Sequence, residues 1–161
     1  MIKNTINDRL KIGLLVFLTF IISFSIISFK NIKLASDEVI EFEITEEVPL
    51  FKGCEDSTSR KEAVECFNKK MMNHIKRNFT YPEEALENRI QGKVDVSFII
   101  NEFGKIKDIK ASASNEKEYD KKLLETEAIR IVSILPKFTP GKHKGKIVNV
   151  KYGLPIIFKM M

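Results

Sequence analysis

An uncharged run of 18 residues, IGLLVFLTFIISFSIISF from Ile12 to Phe29, is the strongest constraint on what this chain can become. A bilayer core takes about 20 apolar residues at the helical rise, with a lower limit of about 17. The apolar region of a cleavable signal peptide is shorter, about 7–15 residues, and precedes a small-residue site. Neither Lys33-Leu34-Ala35 nor Leu34-Ala35-Ser36 supplies such a site. The expectation is therefore a retained transmembrane helix over residues 12–29. Lys3, Arg9 and Lys11 precede the run and only Lys30 and Lys33 follow it, so the positive-inside rule leaves residues 1–11 in the cytoplasm. The rest lies across the membrane, which in a Gram-negative cell is the periplasm. The expected location is the inner (cytoplasmic) membrane, single-pass.

Charge divides the remainder. Residues 1–47 hold five Lys/Arg against seven Asp/Glu, net −2, so residues 48–161 must carry +7 to reach the overall +5. Residues 30–47, acidic and without a stiffening proline before Pro49, read as a short linker. Fully stretched, it spans at most about 60 Å at about 3.3–3.6 Å per residue. The folded domain is expected over residues 48–161, starting at Val48-Pro49.

Cys54 and Cys66 are the only cysteines. In an oxidising compartment a close pair reads as a disulfide closing a short loop. Two unpaired buried thiols are the alternative, because free cysteine packs as a hydrophobe. A zinc site is weaker still: His74 and His143 stand alone, and no close Cys or His pair exists to start one. No metal and no cofactor is expected.

The pattern along 48–161 alternates between the two periodicities. Val64, Phe67, Met71, Ile75 and Phe79 recur at helical spacing, with Asp56 to Ser59 as possible caps. Pro82 then opens a short acidic helix, PEEALENR, broken at Gly92. Val94, Val96, Phe98 and Ile100 alternate as a strand, and NEFG turns the chain with Gly104 in the left-handed position. The return strand KIKDIKASAS places Ile106 and Ile109 at opposite parity, which predicts a bulge or a ragged strand end. Leu124, Ala128, Ile131 and Leu135 mark a second long helix, stopped by Pro136. The chain closes on a strand whose Val148, Val150, Tyr152, Leu154, Ile156 and Phe158 share one parity. The expected fold class is α+β: helices packed on one face of a small antiparallel three-stranded sheet, in two layers.

Pro155 sits inside that last strand. Proline has no N–H to give to a central ladder, so it is confined to edges, strand ends and bulges. The final strand is thus expected at a sheet edge over at least its end. Such an edge invites another strand unless it is blunted, and Lys151 and the lysines at 142–146 could do the blunting.

These residues also carry a resemblance. Tyr81-Pro82 followed by Ala85, the hairpin RIQGKVDVSFIINEFGKIKDI, and EAIRIVSILPKFTPGKHKGKIVNVKYGLPIIF together resemble the C-terminal domain of the TonB family, roughly over Val48 to Phe158. The likeness is greatest to TonB-family proteins of the Bacteroidetes kind, which often carry an extra N-terminal helix and a cysteine pair like Cys54 and Cys66. It implies an energy transducer that works with the ExbB/ExbD motor proteins and binds the TonB box of outer-membrane transporters by strand addition, for siderophore or nutrient uptake. By position, the docking strand it implies comprises Val148, Asn149, Val150, Lys151, Tyr152, Gly153 and Leu154. Asn78, Phe79, Thr80, Tyr81 and Pro82 would flank the docked segment.

Two departures stand against the family pattern. The linker lacks the long proline-rich spacer, and the apolar run carries Thr19, Ser23, Ser25 and Ser28 but no histidine. A membrane-anchored adaptor for another envelope protein is the alternative expectation. Enzymatic activity is not expected: no nucleophile motif, carboxylate pair or phosphate loop stands out, and Cys54 with His74 is the only conceivable dyad. The lysines could bind phosphate non-specifically, yet a domain outside the inner membrane meets no nucleic acid.

Overall fold

The computed structural model describes residues 38–160. Its elements are β1 (Val39–Glu41), α1 (Arg60–Asn78), α2 (Glu83–Glu87), β2 (Gly92–Ile100), β3 (Ile106–Ala113), α3 (Glu118–Ser133), β4 (Lys142–His143), β5 (Lys146–Ile147) and β6 (Asn149–Phe158). The transmembrane helix expected at 12–29 lies outside the described residues. Among those described, no helix is long and apolar enough to cross a membrane.

The main sheet runs β1-β6-β2-β3. β2 alternates as its sequence requires, burying Val94, Val96, Phe98 and Ile100. β6 lies antiparallel beside it from Gly92↔Phe158 to Ile100↔Val150. The β2–β3 register slips between Ser97 and Ile99. Asp108 sits there at φ 54°, the bulge that the parity of Ile106 and Ile109 predicts. Gly104 takes φ 74°, and a Cβ at that position would lie 1.8 Å from the Phe138 carbonyl oxygen. Only glycine fits this turn, which docks against the chain leaving α3.

The expected three-stranded antiparallel sheet requires correction. It has four strands and is mixed, because Val39–Glu41 pairs parallel to β6 through Val39↔Asn149, Ile40↔Val150 and Glu41↔Lys151. The linker assigned to 30–47 is corrected with it: from Val39 onward the segment belongs to the fold. Ile40 and Phe42 are buried. The Phe42 ring lies 4.8 Å from both Phe67 and Tyr152. Arg60 secures the backbone there by donating to the carbonyls of Phe42, Glu43 and Thr45. The apolar residues at 40 and 42 outweigh the flanking glutamates at 41 and 43, which are exposed.

α1 and α3 lie over one face of this sheet. α1 turns Phe67, Met71 and Ile75 inward, and α3 turns Leu124, Ala128, Ile131 and Val132 inward. Ser59 caps α1 by accepting the Glu62 N–H, while the Glu62 carboxylate accepts the N–H and hydroxyl of Thr58, a reciprocal cap. Pro82 falls at the N-cap of α2, one position before the first helical turn. Cys54 and Cys66 form a disulfide, joining the loop before α1 to its second turn. Residues 142–147 make a small separate hairpin, β4–β5, turned at Lys144 and Gly145 with φ 50° and 70°.

Candidate partner-binding edge

β6 has β2 along one side over residues 150–158. On its other side β1 covers only residues 149–151. From Tyr152 to Phe158, no strand pairs with that side among the described residues. Pro155 falls in this uncovered half, opposite Asp95 across the β2 ladder. Its missing N–H is thus tolerated where the expectation placed it, on an edge.

The side chains along this edge differ by face. Val150 and Ile156 are buried inward, and Tyr152 is half-buried. The Tyr152 hydroxyl donates to Asn68 Oδ1 at 3.1 Å. Burial, and secondarily the nearby Glu43 carboxylate, push its phenol above the ordinary value. Gly153 is exposed and Leu154 half-buried. On the outer face Lys151 Nζ pairs with Glu41 at 2.9 Å, and Ile157 is 66% exposed. Val148 and Asn149 are buried. The expected docking stretch Val148–Leu154 therefore divides in two: its backbone edge at 149–151 is held by the chain's own β1, and the open edge starts only at Tyr152.

The second predicted set lies between α1 and α2, beside the other end of the same strand. Phe79 and Tyr81 pack against Phe158, the first tilted and the second edge-to-face, with ring centroids at 5.1 and 5.8 Å. That is the far end of β6 from Asn149, about 30 Å away at the rise of a strand. Asn78 to Pro82 and Val148 to Lys151 are thus not brought together into one site. Asn78 ends α1, donating its side-chain amide to the His74 carbonyl at 2.8 Å. Thr80 donates its N–H to Glu127 at 2.9 Å. The Tyr81 hydroxyl donates to the Ile90 carbonyl at 2.6 Å, and burial raises its phenol as well. A mostly apolar hollow of about 410 Å³ opens beside Thr80 and Pro82, closed by Tyr119, Leu123 and Glu127 of α3.

The Cys54–His74 dyad is removed by the disulfide, which leaves no thiol to attack. Among the described residues no cluster of ligands could hold a metal. Sequence reasoning missed β1, the Arg60 contacts that hold the turn after it, and the pairing of its Glu41 with Lys151. The signal was present in Ile40, Phe42 and Ile44, which alternate within the acidic run; Ile44 is exposed, however, which blurs the pattern.

The class these features define is a small α+β binding domain that presents the edge of its last strand. The family described as "Gram-negative bacterial TonB protein C-terminal" matches residues 77–160, just over half of the 161 residues, and the chain belongs to it. Two solved structures are similar, both NMR solution structures of the Helicobacter pylori TonB C-terminal domain. One is 24% identical with a TM-score of 0.45, covering 67% of this chain and 89% of its own. The other is 26% identical with a TM-score of 0.39, covering 57% of this chain and 91% of its own. A search of curated proteins finds no match.

Proposed function

We propose that this chain is an inner-membrane-anchored energy transducer whose domain, in the periplasm, grips an outer-membrane transporter. The observation that carries the reading is the outer edge of β6, uncovered from Tyr152 onward in a domain of the TonB C-terminal family. An extended segment of the transporter, its TonB box, adds to this edge through main-chain hydrogen bonds, while side-chain pockets select it. Residues 12–29 are the anchor. The ExbB/ExbD motor supplies the proton-driven pull that opens the transporter for siderophore or nutrient uptake.

A second reading, a membrane-anchored adaptor for another envelope protein, is favoured by where the fold begins. The fold begins at Val39, so only residues 30–38 separate it from the apolar run. Nine residues reach at most about 30 Å, half the span the longer linker would allow. In this reading β6 still binds a strand, but one offered by a partner near the inner membrane.

In-cell photo-crosslinking separates the two. A photo-reactive residue at Lys151 or Ile157, both with exposed side chains, is expected to capture a transporter close to its N-terminal box. Recovery of only periplasmic or inner-membrane proteins, with uptake unaffected by deletion of the chain, replaces the transducer with the adaptor.

A further inference from the structure

β1 occupies part of the proposed docking edge, and it does so as a partner would: extended, parallel, and in register with Asn149, Val150 and Lys151. Its grip at that tip is slight. Val39 is 41% exposed and Ile40 is the only buried residue of the three. Glu41 is exposed and contributes a solvent-facing ion pair to Lys151, a weak interaction. The firm hold begins one residue later, where Phe42 enters the aromatic cluster and Arg60 takes three carbonyls. β1 is therefore a three-residue strand attached to a fixed turn.

Beneath it lies an unmet demand. Asn149 is 4% exposed, yet its Oδ1 has no hydrogen-bond partner among the described residues. Buried amides are normally paired, and an orphan costs stability. The register partner of Asn149 is Val39. Successive side chains alternate between the faces of a sheet, and the Glu41–Lys151 ion pair shows that this register keeps paired residues on a common face. The position beside Asn149 is thus filled by a valine, which can neither donate nor accept. A hydroxyl there would do both, and so would serve either orientation of the amide.

We propose that β1 is a displaceable stand-in for the partner's strand, and that the true occupant is an extended segment parallel to β6 with Ser or Thr opposite Asn149. The inference rests on the reading of β6 as the docking edge, and adds to it the regulation and the side-chain preference of that edge. Asn149 lies within the family match at 77–160, whereas β1 lies outside it. A tethered strand enjoys a high effective concentration, so an incoming segment must offer more than β1 does. It has two sources of advantage: the hydrogen bond to Asn149, and ladder continued beyond Lys151 along the edge that β1 leaves bare.

The test uses the full chain in detergent micelles and two fluorescent peptides. One has the sequence of residues 37–45, DEVIEFEIT, and the other is identical except for Val39→Thr. The full chain carrying Val39→Pro, which disables its own β1, is expected to bind the Thr peptide roughly three- to tenfold more tightly than the Val peptide, the equivalent of one net hydrogen bond. Adding Asn149→Leu to the chain abolishes that preference. The parent chain, with β1 in place, binds both peptides at least about tenfold more weakly than the Val39→Pro chain. Equal affinity for the two peptides, or a preference that survives Asn149→Leu, overturns the role of Asn149. Parent binding as tight as that of Val39→Pro overturns the stand-in. If Val39→Pro loses the cooperative thermal transition of the fold, Glu41→Lys, which sets like charge against Lys151, replaces it. The probes are this chain's own sequence, so the outcome is independent of the transporter. Peptide discrimination without any transporter captured in cells removes the transducer reading alone, and capture without discrimination removes this inference alone.

Discussion

Glu127 on α3 is only 8% exposed, and its carboxylate has three donors. Thr80 N–H reaches Oε1 at 2.9 Å, and Arg130 donates to both oxygens at 2.7 Å. Arg130 also donates to the Asn78 carbonyl, so two side chains of one helix hold the chain as it leaves α1 for Tyr81-Pro82. Donating to the Glu127 carboxylate keeps the guanidinium protonated even more firmly than usual. Glu127→Ala leaves the Thr80 N–H without its acceptor and is expected to cost about 1.5–3 kcal/mol, the range for hydrogen bonds to a charged group. The loss should fall toward the lower end because Arg130, 44% exposed, can rehydrate. Urea unfolding of the two chains measures it, and Glu127→Gln, which keeps an acceptor, should lose less. Nothing in the sequence marked this residue. An acid three positions before an arginine is ordinary on any helix surface, and its partner Thr80 is 47 residues away.

At the scale of elements, the loop before α1 is held by two devices of different kinds. The disulfide closes a separation of 12 residues; replacing both Cys54 and Cys66 by alanine is expected to cost about 3 kcal/mol through the entropy returned to the unfolded chain. Differential scanning calorimetry should show a clear fall in Tm. The second device responds to pH. The N–H and hydroxyl of Thr58 hold the Glu62 carboxyl below its ordinary 4.5, and hydrogen bonds from the backbone of Glu55 itself and of Gly53 act likewise on the Glu55 carboxyl. A depressed carboxyl adds stability above its unfolded pKa, and that stability drains away as pH falls through the folded value. Glu62→Gln should therefore narrow the stability gap between neutral pH and the region below 4.5, read as Tm against pH. The two long helices and the β2–β3 hairpin were legible because each is amphipathic over eight residues or more, and the hairpin turn carries a glycine whose backbone explains it. Three-residue β1 has one buried side chain, too few for any periodicity to stand out from its glutamates. The exposed edge was legible from Pro155, since one missing N–H is a local property. Its partial cover was not, because Val39 and Asn149 meet only across 110 residues of chain.

Across the whole molecule, charge and hydrophobic burial tie the first described segment to the last. Five glutamates, at 38, 41, 43, 46 and 47, fall within ten residues, and three of them meet the basic C-terminal part. Glu41 pairs with Lys151 and Glu47 with Lys142, while Glu46 accepts the Lys144 N–H. These contacts are exposed and individually weak. Their effect is to set the position of a segment whose stability comes from Ile40 and Phe42. A chain starting at Val48 removes both side chains, takes all three carbonyls from Arg60, and uncovers Phe67 and Tyr152. Burial at about 1.5–3 kcal/mol per large apolar side chain puts the difference between chains 38–161 and 48–161 at about 3–6 kcal/mol. Guanidinium unfolding of the two is expected to show the longer one cooperative and the shorter one with a markedly lower midpoint. The shorter chain should also bind a dye for exposed apolar surface. Equal midpoints would mean that the aromatic cluster closes without Phe42, and that residues 38–47 serve only to cover the strand edge. A lowered midpoint for 48–161, with Val39→Pro leaving the full chain's stability nearly unchanged, would divide the segment in two. Phe42 would then be a fixed part of the core, and the three residues before it would be free to leave β6 without unfolding the domain.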